Sequence, residues 1–457
     1  YFIIVIVLFL LLLIEMIWIT SGARKKRRTG ARSRIFFSKL TSILLSALFI
    51  VGSVYASIGD NFISNITSAF MQTRVIAIYA MKDSNIKNVE DLKGKTFGIE
   101  NEKSISEITD ALAQIQDKID ETPEKKNYDD YAELADALYD EKVDCIIADQ
   151  SYLGVLETNH ESFSDETRVI YKMEVQEKIE AVTTKTDVTE NPFIIYLTGI
   201  DTYGSVSTIS RADVNLVVCV NPIEKQVLLV SVPRDTQVNL NRNGKMDKIT
   251  HSAMYGINET ILTLEDFLDL KVNYYAKTNF SGITNIIDAL GGVEVESPYK
   301  FTTLHGNYEI KKGVNEMDGD KALCFVRERY ALPGGDFDRG KNQQRLLMAM
   351  LKKAMSPKII TNYNNILAAV EGSFETDMTS DDIKSLVNMQ LDDMADWDIF
   401  NVQVTGEGKI SYDTYSQKGK KTYITVPDKK VLNKIIKVID KIEAGEKLTE
   451  SDVKGLN

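Results

Sequence analysis

The chain has 457 residues, a formal net charge of −12, and 44% hydrophobic and 26% charged residues. This length allows roughly two or three domains that each bury a core, and the composition is that of ordinary globular protein. The acidic balance excludes a protein that coats nucleic acid, because that role needs a basic surface. Three histidines are too few for a histidine-built metal site, so carboxylates and a hard cation are the expected metal chemistry.

The beginning of the chain contains two apolar segments separated by a basic loop. Residues 1–20 and Ile35–Ile58 are each long and apolar enough to span a bilayer. The loop between them, SGARKKRRTGARSR, has no acidic residue, which is typical of a cytoplasmic loop. We therefore predict a multi-pass protein of the cell membrane: two transmembrane helices in residues 1–58, a linker in residues 59–73, and the rest of the chain outside the cell. The alternatives are a basic nucleic-acid-binding segment and a cleavable signal peptide, and two spans disfavour the latter.

Residues 74–186 are predicted to form a smaller, accessory α/β domain. The runs VIAIYAM and VDCIIADQ are typical of buried strands, whereas Ser104–Ile119 and Tyr128–Asp140 have helical periodicity. The stretches DLKGKTFGI and ALYDEKVDCIIAD resemble pieces of the α/β lobes of extracellular solute-binding proteins. We expect a domain that spaces the next one from the membrane or binds a partner. A sensor for a small ligand is the alternative.

Residues 187–457 are predicted to form the catalytic domain, an α-β-α sandwich around a central, mostly apolar sheet. The predicted strands are FIIYLTGI, VNLVVCV, QVLLVSV and Val272–Lys277. The predicted helices are Ser252–Asp269, Ser281–Leu290, Arg339–Met355, Asn362–Val370, Ser380–Met389 and Lys429–Ile442.

One stretch of this region, Arg327–Arg345 (RERYALPGGDFDRGKNQQR), combines several groups that bind phosphate. The preceding run Ala322–Val326 is interpreted as a buried strand, so Arg327 and Arg329 would point to one face of its continuation. Guanidinium groups bind phosphate oxygens two at a time, and a carboxylate among them can hold a divalent cation. The pattern favours a diphosphate site, although a salt-bridged surface turn has the same composition.

Further polar residues lie where the predicted strands begin or end. They are Asp201, Arg211, Asp213, Arg234, Asp235 and Lys248. Open α/β sheets bind ligands at the ends of strands, so we expect these side chains to converge with those of Arg327–Arg345 at one edge of the sheet. Any single pair is equally typical of a surface ion bridge, and it is the recurrence at successive strands that indicates a common site.

The motifs TGID, SRAD, SVPRDT, DKITHSAMYG, ALGGVEVESP and FVRERYALPGGDFDRGKNQQR, in this order, resemble those of the LytR-CpsA-Psr family. The resemblance extends over Phe193–Met355 and is greatest to streptococcal capsule-locus members with an extracellular accessory domain. One position departs from the pattern: Thr250 precedes His251, where the family often has asparagine.

The resemblance implies a membrane-anchored phosphotransferase. It would move capsular polysaccharide or a related glycopolymer from an undecaprenyl-pyrophosphate carrier to peptidoglycan, in contact with membrane lipids and other capsule-assembly proteins and without nucleic acid. Asp201 and Asp213 would hold Mg²⁺, with Mn²⁺ as a substitute. The pyrophosphate would be bound by Arg211, Arg234, Lys248, Arg327, Arg329, Arg339 and Gln343, and the implied catalytic residues are Asp213, Arg234, Asp336 and Arg339.

Two other functions compete with this one. The first is a polyprenyl-phosphate-binding regulator of capsule assembly without significant turnover, which would use the same binding residues. The second is a transcription factor, which the predicted position of the acidic region outside the membrane argues against. The apolar segments Ile261–Leu270 and Phe280–Leu290 are candidates to line a groove for the lipid, although an ordinary core would have the same composition.

Overall fold

The computed structural model describes residues 71–101, 105–180, 182–200, 202, 205–354, 356 and 372–456. The two predicted transmembrane segments, Asp201 and the predicted helix Asn362–Val370 lie outside these residues. Within the described ranges, no helix has both the length and the apolar character needed to cross a bilayer.

Residues 71–178 form a five-stranded sheet with helices on both faces. Its strands are β1 (Met71–Met81), β2 (Thr96–Glu100), β3 (Glu124–Tyr128), β4 (Cys145–Asp149) and β5 (Thr167–Lys178), in the order β3-β2-β4-β1-β5. Its helices are α1 (Ile105–Ile119), α2 (Tyr131–Tyr139), α3 (Leu153–Leu156) and α4 (Phe163–Glu166). Side chains alternate along β1, so that Ile76 and Ile78 pack in the core beneath α1, whereas Ala77 and Tyr79 pack in the core beneath α2.

The region from Phe193 onward is built around a six-stranded mixed sheet. Its elements include the strands β6 (Phe193–Ile200), β7 (Ala212–Asn221), β8 (Gln226–Ser231), β9 (Gln237–Asn239), β10 (Met246–Lys248), β11 (Tyr274–Thr278), β12 (Val293–Ser297), β13 (Phe301–Thr302), β14 (Glu309–Ile310), β15 (Gly313–Met317), β16 (Phe374–Thr376), β17 (Asp398–Gln403), β18 (Gly406–Ser411) and β19 (Thr422–Pro427). The main sheet has the order β16-β11-β6-β7-β8-β17, with β11 parallel to β6 and β17 parallel to β8.

Helices cover both faces of this second sheet. The helices of this region include α5 (Ile249–Ser252), α6 (Ile257–Leu268), α7 (Phe280–Ala289), α8 (Gly319–Arg327), α9 (Asp336–Ala354), α10 (Ser380–Asp393), α11 (Lys429–Glu443) and α12 (Glu450–Val453). The apolar sides of α6 and α11 pack on one face of the sheet, and α9 and α10 pack on the other. The prediction of a mixed α/β fold is confirmed.

One predicted strand is a helix in the structure. Ala322–Val326 lies within α8, whose first turn is capped by the Asp318 carboxylate, which accepts a hydrogen bond from the backbone N–H of Lys321. Ala322, Phe325 and Val326 are buried three or four residues apart, while Cys324 is only half-buried, which is the pattern of a helix with one buried face. The expectation that Arg327 and Arg329 share one face of a strand was therefore wrong: Arg327 ends the helix, and Arg329 lies in the loop that follows.

Candidate functional site

A cavity of about 550 Å³ lies on the α9 face of the second sheet. Its floor is apolar and follows the register of three adjacent strands, in which Ala276 is paired with Leu197 and Leu197 with Leu216. Apolar side chains of α7, α8 and α9 form its walls, among them Ile283, Ile286, Leu323, Leu346, Leu347 and Met350. The cavity can therefore hold an apolar chain.

The same cavity has a strongly charged part. Its polar lining includes Arg211, Asp213, Arg234, Arg327, Arg329, Arg339 and Gln343. The antiparallel pairing of β6, β7 and β8 explains why some of them meet, since the start of β7 lies beside the end of β8. Asp213 near the start of β7 and Arg234 just after β8 are thereby brought together, and Arg234 Nη1 lies 2.6 Å from Asp213 Oδ1.

Two further acids hold the basic groups in place. Asp235 Oδ1 accepts a hydrogen bond from Lys248 Nζ at 2.9 Å and lies 4.0 Å from Arg234 Nε. At the start of α9, Arg339 Nη2 lies 2.5 Å from Asp336 Oδ1. Arg339 and Gln343 both line the cavity because they are one helical turn apart. Helix α9 approaches the sheet closely at Gly340, where a Cβ atom would lie 2.4 Å from Gln403 Nε2.

The three carboxylates of this cluster differ in their pKa. Burial acts to raise the pKa of Asp213, but the charges of Arg234, Arg339, Arg211 and Arg329 outweigh it and lower that pKa below its ordinary value. At Asp235, burial also acts to raise the pKa, but the charges of Lys248 and Arg234 outweigh it and lower the pKa below its ordinary value. At Asp336 burial prevails over the neighbouring arginines, and the pKa is raised. Asp213 and Asp235 are therefore held ionised, whereas Asp336 binds a proton more readily than an ordinary aspartate.

Arg327 and Arg329 each contact an aromatic ring, and Arg329 is also held through its backbone by Glu328. Arg327 Cζ lies 4.2 Å from the centre of the Phe280 ring, and Arg329 Nη2 donates a hydrogen bond to the Tyr330 hydroxyl at 2.6 Å. The Glu328 carboxylate, only 3% exposed, accepts hydrogen bonds from the backbone N–H groups of Leu304, Arg329 and Ala331 at 2.6, 3.0 and 2.9 Å. Glu328 thus joins the loop that carries Arg329 to the loop between β13 and β14, which contributes Leu304 and His305 to the cavity lining.

Comparisons with known proteins identify the group to which the chain belongs. A family model described as the LytR_cpsA_psr family matches residues 156–433, which is more than half of the chain. The chain belongs to the LytR-CpsA-Psr family. A second model, described as NMT1/THI5 like, matches residues 65–186.

Relatives of the chain in the LytR-CpsA-Psr family carry a functional name. The polyisoprenyl-teichoic acid–peptidoglycan teichoic acid transferase TagU of Enterococcus faecalis is 36% identical over 200 residues, which are 43% of this chain and 65% of that protein. TagU of Bacillus cereus strain AH820 is 34% identical over 223 residues, 49% of this chain and 72% of that protein. The crystal structure of gbs0355 from Streptococcus agalactiae, 26% identical, matches 59% of this chain and 93% of its own with a TM-score of 0.50.

The site residues suggested by the LytR-CpsA-Psr resemblance are for the most part gathered in one place. Seven of them line the cavity, as described above. Lys248 and Asp336 are not part of its lining but pair with Asp235 and Arg339. Asp201 lies outside the described residues. Of the two apolar segments offered for a lipid groove, Phe280–Leu290 contributes to the cavity, whereas Ile261, Leu264 and Leu268 belong to the core on the opposite face of the sheet.

Sequence reasoning missed several residues with clear structural roles. Glu328 lies between two arginines in the RER motif, but it accepts hydrogen bonds from backbone N–H groups, so this pattern did not point to its role. Asp247 and His251, four residues apart, form a second such group: His251 Nδ1 lies 2.6 Å from Asp247 Oδ1, and Asp247 Oδ2 accepts hydrogen bonds from the N–H and hydroxyl of Ser416. Burial outweighs Asp247 and lowers the pKa of His251, so the ring is held neutral.

The donor set at the cavity fits Mg²⁺ only as an ion shared with a ligand. In the part of the chain that the structure describes, no three or more His, Cys, Asp or Glu side chains converge as a metal cage. Mg²⁺ commonly takes one or two carboxylates together with phosphate oxygens and water. Asp213, held ionised in the cavity, is a suitable ligand of this kind.

Proposed function

We propose that this protein transfers a glycopolymer, capsular polysaccharide or a related polymer, from an undecaprenyl-pyrophosphate carrier to peptidoglycan. The observation that supports the proposal is a single cavity with several arginines and an apolar floor. A polyprenyl pyrophosphate has the complementary composition, a doubly charged head on a long hydrocarbon chain. The names of the TagU relatives, teichoic acid transferases, support the same class of reaction.

In the proposed reaction, an acceptor hydroxyl of peptidoglycan attacks the phosphorus atom that bears the glycan. A new oxygen–phosphorus bond forms, the bond to the bridging oxygen breaks, and polyprenyl phosphate leaves with the electron pair. The arginines stabilise the negative charge that develops on the transferred and leaving oxygens. Asp336, with its raised pKa, would accept the proton of the hydroxyl.

Asp213, with Asp201, would hold Mg²⁺ or Mn²⁺, which when bound supplies further positive charge to the phosphate oxygens. Arg339, 6% exposed, and Gln343 would fix the orientation of the head group from α9. Arg211, Arg234, Arg327 and Arg329 would bind its other oxygens, and Lys248 would act through Asp235.

The apolar segments at the beginning of the chain support a location in the cell membrane, with residues 187–457 as the catalytic domain and residues 74–186 as an accessory domain on the outer side. This placement would bring the cavity to the lipid-linked substrate and to peptidoglycan. Other capsule-assembly proteins are the proposed further partners.

The test uses the full chain in detergent with Mg²⁺, a polyprenyl-pyrophosphate-linked oligosaccharide and a peptidoglycan fragment that supplies the acceptor hydroxyl, and measures released polyprenyl phosphate. We expect release by the native protein and at least about a hundredfold slower release by Asp213→Ala, since fixed charges at such sites contribute this much. Binding of the lipid without release would favour the regulator of capsule assembly. Equal release by Asp213→Ala would overturn the proposed site.

A further inference from the structure

Arg211, which lines the cavity, lies directly against the region built on the first sheet. A Cβ atom added to Gly154 of α3 would lie 1.9 Å from Arg211 Nη1 and 2.5 Å from Arg211 Cζ. No side chain fits at residue 154 while the guanidinium keeps this position. The guanidinium of a residue in the second region is therefore packed on the backbone of a helix in the first.

The segment that carries Gly154 is firmly packed. Its neighbours Tyr152, Val155 and Leu156 are buried in the core of the first region, and Met254 from the second region belongs to the same core. The Tyr152 and Tyr255 rings meet edge to face with 6.3 Å between their centres. Helix α3 cannot move away from Arg211 without disturbing this shared core.

The backbone next to Arg211 is also held by the first region. Thr73, near the start of β1, donates its N–H to the Ser207 carbonyl at 2.9 Å and accepts the Ile209 N–H at 2.9 Å. Ile209 is two residues before Arg211. The first region thus fixes Arg211 twice, through a short parallel pairing of the backbone before it and through the surface on which its guanidinium lies.

We infer that the first α/β region is part of the phosphate-binding site, with Gly154 as a positioning residue for Arg211. The inference rests on the proposed function in one respect, the binding of phosphate oxygens by Arg211. It differs from the expectation that residues 74–186 only space the next domain from the membrane, because a spacer would not change the affinity of the cavity for a pyrophosphate ligand. A guanidinium binds two oxygens only in a restricted orientation, so the backbone of Gly154 sets a geometry that determines affinity.

The inference is tested by a double-mutant cycle in the full chain, with farnesyl pyrophosphate as the ligand and its dissociation constant as the readout. Gly154→Ala is expected to weaken binding about tenfold, as when a hydrogen bond to a charged group is lost. In Arg211→Ala the guanidinium, which supplies the three atoms nearest to a methyl group at residue 154, is absent. Adding Gly154→Ala to that variant should therefore leave the dissociation constant unchanged within about twofold.

Lys420→Ala is the matched control, because Lys420 Nζ lies 3.5 Å from Asp136 Oδ2 and joins the same two regions away from Arg211. Its affinity should equal that of the native protein. Equal affinity of Gly154→Ala and the native protein, or additive effects of Gly154→Ala and Arg211→Ala, would overturn the inference. Full affinity of Arg211→Ala alone would instead contradict the role of Arg211 in the proposed function.

The cycle remains decisive if Gly154→Ala folds poorly. The unfolding temperature should then be restored in the double variant, because the three atoms nearest to the added Cβ all belong to Arg211. A double variant that is as unstable as Gly154→Ala would overturn the inference.

Discussion

The arginine side chains of the cavity make contacts that depend on the flat, forked shape of the guanidinium group. Arg327 stacks on the Phe280 ring, and Arg234 directs separate nitrogens towards Asp213 and Asp235. A lysine carries the same charge but has neither the flat surface for stacking nor the pair of parallel donors. The electrostatic attraction to phosphate would survive an arginine-to-lysine change, whereas the geometry would not.

We therefore expect Arg327→Lys to weaken the binding of a prenyl pyrophosphate about tenfold, since a charged hydrogen bond and the ring contact are lost. Isothermal titration calorimetry measures this. Arg345→Lys is the control, because Arg345 lies on α9 outside the cavity lining and bonds to Asn342. Equal losses in the two variants would point to a general effect on folding and not to loss of phosphate binding.

Asp336 gives a prediction about pH. If it accepts the proton of the attacking hydroxyl, the rate of cleavage in a single turnover must rise with pH as Asp336 loses its own proton. Burial raises its pKa above the usual 3.8, so the rise should be centred above that value. Asp336→Asn should abolish this limb of the pH–rate profile and slow release of polyprenyl phosphate about a hundredfold or more. A profile of unchanged shape in Asp336→Asn would assign the proton to another group.

At the scale of single residues, charge and spacing identified most of the charged residues of the cavity but not their partners. Arginines and aspartates that recur beside predicted strands are visible in a sequence because few folds need so many of them together. The hydrogen bonds of Glu328 depend on loop conformation, and the contact of Gly154 with Arg211 joins segments more than fifty residues apart. No local pattern encodes either.

Among the secondary-structure elements, short apolar runs and exposed edges were the hardest to predict. Ala322–Val326 has five apolar residues in succession, a pattern shared by a buried strand and by a short helix packed on one side. The opposite problem applies to β3, Glu124–Tyr128, which is largely exposed at the edge of its sheet and has no apolar alternation. The strands β6, β7 and β8 were predictable because they are buried on both faces and therefore almost continuously apolar.

The loop after α8 depends on one buried acid. Glu328→Ala would leave three backbone N–H groups without their acceptor, and we expect a loss of about 1–3 kcal/mol in the free energy of unfolding. Affinity for a prenyl pyrophosphate should fall with it, because Arg329 lies in the same loop. Urea denaturation and calorimetry measure the two effects.

Glu309→Ala is a suitable comparison for Glu328→Ala, since Glu309 is exposed in the β13–β14 hairpin that Glu328 contacts through Leu304. It should leave both quantities near their native values. Loss of stability in Glu328→Ala without loss of affinity would mean that the loop does not position Arg329 for the ligand.

For the molecule as a whole, the sequence indicated a mixed α/β architecture with charged residues at one edge of a sheet, and the family resemblance implied their roles. Neither indicated that the two sheet regions share a core through Met254, or that one region supports an arginine of the other. Contacts of this kind depend on how two folded units pack, and each sequence pattern reports only on the unit that contains it.

The cavity has a charged part and an apolar part, so the binding of the pyrophosphate head group and the binding of the prenyl chain can be tested separately. Met350→Glu places a carboxylate in the apolar wall, at a partly buried position of α9. We expect it to weaken the binding of a long-chain prenyl pyrophosphate about tenfold or more, because burying an unpaired charge is costly. Inorganic pyrophosphate should bind as well as before.

Calorimetry with both ligands, on native protein and on Met350→Glu, measures the difference. A parallel loss for both ligands would contradict the division, since it would mean that the substitution disturbs the arginines. An unchanged affinity for both ligands would mean that the prenyl chain does not bind at this apolar wall.

The shared floor of Ala276, Leu197 and Leu216 has a kinetic consequence. In the proposed reaction the glycan departs with its phosphate, but the spent carrier keeps its entire hydrocarbon tail and one phosphate. The chemical step therefore leaves the contacts between the hydrocarbon tail and the sheet unchanged, and the arginines still bind the remaining phosphate. Dissociation of the polyprenyl phosphate, and not cleavage, would then limit the turnover rate. That rate would depend on how fast the surrounding bilayer takes up the released lipid.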